Sequence, residues 1–161
     1  YYDQDVAGLD FVDVTPCAVF DTRSNKGATG GFAGERLNGL ANTTTYQITG
    51  RSVPVGQGGI VDTGGGTGTC GVPDGASAVL INLEAVNAVR EGNFWVSATG
   101  TTTTGGVLNF NNVTPKMNNA NAVVVPLSTA GQLDLEVNAG TFTPDGTPIA
   151  HARGVILGYY N

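Results

Sequence analysis

Residues 78–86, Ala-Val-Leu-Ile-Asn-Leu-Glu-Ala-Val, place Val79, Ile81, Leu83 and Ala85 on one side and Asn82 and Glu84 on the other. Residues 132–138 repeat the pattern, with Leu133, Leu135 and Val137 inward and Asp134 and Glu136 outward. A period of two marks a strand that keeps one face in the core. Shorter runs rich in β-branched and aromatic residues occupy 43–49, 93–98, 106–110, 121–127 and 154–160, and 11–23 reads as a strand near the start. Such runs favour the pleated, half-buried state. Turn residues separate them: Pro-Asp-Gly at 73–75 and again at 144–146, Arg-Glu-Gly-Asn at 90–93 and Ser-Thr-Ala-Gly-Gln at 128–132. No stretch sustains a helical period for three turns. The pattern predicts an all-β chain of 8–9 short strands folded as an antiparallel β-sandwich or jelly roll.

Two segments break the rhythm. Residues 50–71 form a glycine-rich insertion, expected as an exposed loop anchored by Cys70. Residues 1–10 precede the first convincing strand, yet Tyr1, Tyr2, Val6, Ala7 and Leu9 give them more apolar surface than a solvated tail needs. The expected organisation is an arm over 1–10 and a single sandwich domain over 11–161. A chain of 161 residues suits one domain, removing roughly 70% of its unfolded surface from water.

Composition narrows the function classes. Only 12% of residues are charged, about half the usual share, and polarity comes from Thr, Asn and 25 glycines instead. The net charge is −6 with no basic cluster, so nucleic acid is not an expected partner. No apolar run approaches a membrane span. The chain opens on Tyr1 with no charged-then-apolar leader, as expected of a processed or trimmed chain. Two cysteines in a Thr/Asn/Gly-rich, Lys-poor chain point to an oxidising compartment and one disulfide, Cys17–Cys70; the alternative is two unrelated buried thiols.

Several blocks then carry a resemblance: VTPCAVFDTR (14–23), CGVPDGASAVLINLEAVN (70–87), GNFWVSATG (92–100), GVLNF (106–110), NAVVVPL (121–127) and GVILGYY (154–160). In this order they resemble a secreted bacterial β-module with TPC(R), DTR, CG(I/V)P and GY(F/Y) blocks, often repeated in large surface proteins. The resemblance covers roughly 11–161 and implies an extracellular β-sandwich without a catalytic motif. The arginine usual after the first cysteine is Ala18 here, so a salt bridge at that position does not carry over.

The search for chemistry returns little. His151 is the one histidine and reads as a surface or packing residue. The glycine spacing of 66–71 fits a dinucleotide loop only by chance, because Pro73-Asp74-Gly75 follows where a helix must begin. No nucleophile elbow, zinc-protease motif or spaced Cys/His cluster occurs. Asp134 and Glu136 could flank a glycosidic bond but fit the solvent face of a strand. Asp21 and Arg23 flank Thr22 and are expected to form a structural ion pair, or to bury the arginine on loop carbonyls, rather than to contact a ligand. Calcium would draw on Asp62, Asp74 and Asp145, none in a calcium-loop spacing. Sequons at Asn42 and Asn112 and the Thr-rich stretch 99–106 matter only if the source cell glycosylates them. No metal, cofactor or enzymatic activity is expected.

Two function classes stand ahead of a third, an enzyme, which lacks any catalytic constellation. One is a structural subunit that assembles with copies of itself into a surface filament or lattice. Low charge reduces repulsion between copies, and Ala7, Leu9 and Phe11 fall on one face of an extended arm. The other is a non-catalytic module binding glycans or surfaces, with Trp95, Tyr159 and Tyr160 as stacking platforms.

Overall fold

The computed structural model of the chain describes residues 9–23, 37, 43–49, 70–102, 106–111, 118–138 and 148–161. Among these residues eight strands follow in order: β1 (Phe11–Asp21), β2 (Thr44–Gln47), β3 (Ala78–Val86), β4 (Gly92–Ala98), β5 (Leu108–Phe110), β6 (Asn119–Pro126), β7 (Gln132–Asn138) and β8 (His151–Tyr160). They form two four-stranded antiparallel sheets, β1-β8-β3-β6 and β2-β7-β4-β5. The first strand pairs with the last, the second with the seventh, the third with the sixth and the fourth with the fifth. Successive pairs fall in alternate sheets, which is a long hairpin rolled into a jelly roll. The expected β-sandwich is the fold.

Strands β3 and β7 lie on the predicted spans 78–86 and 132–138. Alternation alone set those limits. Strand β8 begins three residues ahead of its prediction, at His151, because His151, Ala152 and Arg153 find partners in Val86, Ala85 and Glu84. Of the glycine-rich stretch 50–71 only Cys70 and Gly71 lie among the described residues, and Asn42, Asp62, Asn112, Asp145 and residues 1–8 lie outside them.

The inward side chains make one core. Val79, Ile81, Leu83 and Ala85 of β3 and Leu133, Leu135 and Val137 of β7 are at most 1% exposed, each large one stabilising by about 1.5–3 kcal/mol. Phe20 stacks on Tyr46 across the sandwich at 4.1 Å between ring centroids, and Phe94 meets Phe110 at 4.9 Å. Gly154 explains itself here: it faces Phe20 from β8, and a Cβ would collide with that ring. Gly131 closes the β6–β7 turn in the left-handed region, at φ 70°, with its amide donating to the Ser128 carbonyl.

Cys17 and Cys70 are bonded, with Cα atoms 5.4 Å apart across a sequence separation of 53 residues. Cys17 lies in β1 opposite Ile156 of β8, and Cys70 precedes the Val72–Ala76 segment that leads into β3. The bond therefore ties the first strand to the entry of the third across the buried edge of the core, and both sulfurs' residues are buried. In the chain-entropy account a loop of this length is worth roughly 4 kcal/mol.

Candidate functional site

The outward face of β2-β7-β4-β5 carries the chemistry. Alternation that buries Phe94, Val96 and Ala98 turns Trp95 and Ser97 outward, just as Leu133, Leu135 and Val137 turn Asp134 and Glu136 outward. The register then places Trp95 opposite Glu136 and Ser97 opposite Asp134, with Thr45 of β2 on the other side of Asp134. Trp95, Ser97, Asp134 and Glu136, with Thr43 and with Thr101 and Thr102 from the segment after β4, line a pocket of about 220 Å³.

Hydrogen bonding holds one carboxylate and leaves the other open. Asp134 Oδ1 accepts from the Thr45 hydroxyl at 2.6 Å and the Thr99 hydroxyl at 2.8 Å, and Oδ2 accepts from the Gly100 amide at 3.4 Å. The Thr101 hydroxyl donates to the Ala98 carbonyl at 2.7 Å, which fixes that rim of the pocket. The Glu136 carboxylate makes no hydrogen bond among the described residues, and the residue lies opposite Trp95. The Trp95 Nε1 is buried without a hydrogen-bond partner, beside Gly106. Among the described residues no lysine or arginine lines the pocket.

The aromatic residues singled out in the sequence do not converge. Trp95 belongs to one sheet, Tyr159 and Tyr160 to the other. Tyr159 pairs with Val79 on the inward side, whereas Tyr160 lies outward and its ring sits 5.1 Å from that of Phe11. Phe11 belongs to β1 itself rather than to a free arm, opposite Tyr160. The Asn161 amide donates to the Asp10 carbonyl at 3.1 Å, so the chain is still following the end of β8 at Asp10. Leu9 is 56% exposed and Phe11 47%.

Asp21 and Arg23 form a two-pronged ion pair: Arg23 Nε donates to Oδ1 at 2.9 Å, Nη2 donates to Oδ2, and the Arg23 amide adds a bond to Oδ1 at 3.0 Å. Partial burial works to raise the Asp21 pKa, but the Arg23 hydrogen bonds and the charges of Arg23 and Arg153 outweigh it and leave the carboxyl below its ordinary value. His151 is buried, with Nδ1 3.2 Å from the Thr22 hydroxyl, which itself accepts from the Ala152 amide at 3.0 Å. The contact packs β1 against β8. Asp74 is exposed in a turn, and among the described residues no group of three or more His, Cys, Asp or Glu side chains gathers to hold a metal.

Sequence reasoning passed over two features. Alternation puts Asp134 and Glu136 on the outward face, where they are, but their convergence with Trp95 depends on register. The edge of the other sheet is the second. Strand β6, Asn-Ala-Asn-Ala-Val-Val-Val-Pro, pairs with β3 in unbroken register and no described strand lies beyond it. Its outward side chains are Ala120, Ala122 and Val124, the last 53% exposed. On the inward side Asn119 and Asn121 donate to the Asn109 and Val107 carbonyls at 3.1 and 2.8 Å, tying the strand to β5.

No protein-family model matches the chain, and a search of curated proteins finds no match. Among the described residues no helix is long and apolar enough to cross a membrane.

Proposed function

We propose that the protein is a secreted, non-catalytic structural subunit that assembles with copies of itself through its N-terminal arm into a cell-surface filament or lattice. The observation that carries this reading is the β6 edge. Eight residues contain no charge, no bulge and only a terminal proline, so the edge lacks the guards that proteins place on strands to prevent pairing. Half of its backbone N–H and C=O groups face away from β3 and accept an added strand.

Residues 1–10 have the composition of such a strand. Tyr1, Tyr2, Val6, Ala7 and Leu9 are apolar or aromatic, Asp10 alternates with Leu9 and Phe11, and the edge that receives them adds no repelling charge. Burying Val6 and Leu9 on a neighbour contributes about 3 kcal/mol before ordering costs. The disulfide supports a secreted location, because such bonds persist in oxidising compartments, as does the resemblance of the 14–23 and 70–87 blocks to a secreted bacterial module.

The test is a chain that begins at Phe11, compared with the full chain by sedimentation velocity and negative-stain microscopy. Loss of the oligomers supports the arm as connector. The same oligomers from both chains overturn it.

A further inference from the structure

The pocket beside Trp95 is not used by assembly through the arm, and it lies on the opposite sheet from β6. Its chemistry is specific. An indole beside two carboxylates and several hydroxyls combines an apolar π surface with hydrogen-bond acceptors, and a ligand with both a C–H face and a ring of hydroxyls satisfies the two at once. From this arrangement we propose that the outward face of β2-β7-β4-β5 binds one neutral or N-acetylated hexopyranose unit of a glycan, stacked on Trp95 and held by Glu136 and Asp134.

Three observations select that ligand class. The first is size: about 220 Å³ falls below the roughly 300 Å³ at which clefts for drug-sized ligands begin, which leaves room for a single sugar ring. Charge is the second. Two carboxylates, with no lysine or arginine among the described residues of the lining, repel uronic and sialic acids, while each carboxylate oxygen accepts from neutral hydroxyls. The third is the division of labour between the acids. Asp134 is held in place by Thr45, Thr99 and Gly100, so it meets a ligand without losing side-chain freedom. Glu136, opposite Trp95 and unbonded among the described residues, has both oxygens available for a pair of adjacent hydroxyls.

A calcium ion is the competing occupant for a pair of carboxylates. It asks for 6–8 oxygen ligands, and among the described residues no cluster of three acidic or other metal-binding side chains forms. The indole also has no role in holding a hard cation.

Trp95 is the chain's single tryptophan, so its fluorescence reports on this pocket alone. The full chain is titrated with cello-, manno- and chito-oligosaccharides, with oligogalacturonate, and with calcium chloride without sugar. The expected result is a saturable shift in emission with at least one neutral oligosaccharide and none with oligogalacturonate. Glu136→Gln, an isosteric change at a half-buried position that leaves the fold intact by circular dichroism, weakens binding roughly tenfold, as loss of a charged acceptor should. Trp95→Ala abolishes the heat of binding in calorimetry, while Val124→Lys on the other sheet leaves it unchanged. No shift with any neutral sugar, equal binding by Glu136→Gln, or a response to calcium alone overturns the proposal. Assembly is read by sedimentation and sugar binding by fluorescence, so either reading fails without the other.

Discussion

The two outward faces of the sandwich are built on the same backbone pattern and carry opposite chemistry. On β1-β8-β3-β6 one end is apolar, with Phe11, Tyr160, Leu80, Val124 and Pro126 side by side, and the other holds ions, Glu84 with Arg153 at 3.2 Å and Asp21 with Arg23. On β2-β7-β4-β5 the outward residues are hydroxyls, amides, two acids and Trp95. The interior between them is one continuous apolar core of aliphatic and aromatic side chains. A fold of this kind therefore decides where faces exist and leaves their use to the side chains placed on them. One face offers an edge suited to another strand, the other a pocket suited to a small polar ligand.

The shared interior is where a change should damage both faces together. Replacing Cys17 and Cys70 by serine is expected to cost about 4 kcal/mol, lowering the melting temperature by roughly 8–16 °C at this chain length. Calorimetry of the variant, with intact mass of the native protein before and after reduction, checks it. A melting point within a degree or so of native would mean that the bond constrains little.

Gly154→Ala comes next. Its methyl group meets the ring of Phe20 and the end of Ile81, and overpacking of this kind costs about 1–3 kcal/mol. Urea unfolding should show a lower midpoint with an unchanged slope. Because Phe20 stacks on Tyr46, the strain reaches the second sheet too.

Val124→Lys separates the faces. The side chain points outward from an edge strand, so the fold should change by no more than about 0.5 kcal/mol, while a lysine guards the edge against pairing. Assembly should weaken at least about tenfold in sedimentation, with Trp95 emission untouched. Unchanged assembly would move the connector away from β6.

The smallest effect belongs to the ion pair. The folded-state pKa of Asp21 is depressed, so its contribution is present above the unfolded carboxylate pKa and fades as pH falls through the lower folded value. Arg23 is 44% exposed, which limits the pair to roughly 0.2–1 kcal/mol. Chemical unfolding from neutral pH to below pH ~3 should lose that much in the native protein and less in Arg23→Ala. Equal acid sensitivity would assign the depression to Arg153 instead.

Alternation along 78–86 and 132–138 specified two strands and their buried faces to the residue, because the side-chain period of a strand is a local property of its backbone. The number of strands, the sandwich and the cysteine pair were legible for similar reasons: turn residues act locally, and two cysteines offer one pairing. Neighbourhood was not legible. Nothing in residues 93–98 or 132–138 says that Trp95 faces Glu136, since that depends on a register between strands nearly forty residues apart. Likewise the run 121–127 reads as a strand wherever it sits, and only the rolled topology leaves β6 at an edge with Val124 outward. Period and burial are written residue by residue, whereas pairing is decided by closing long loops against one common core.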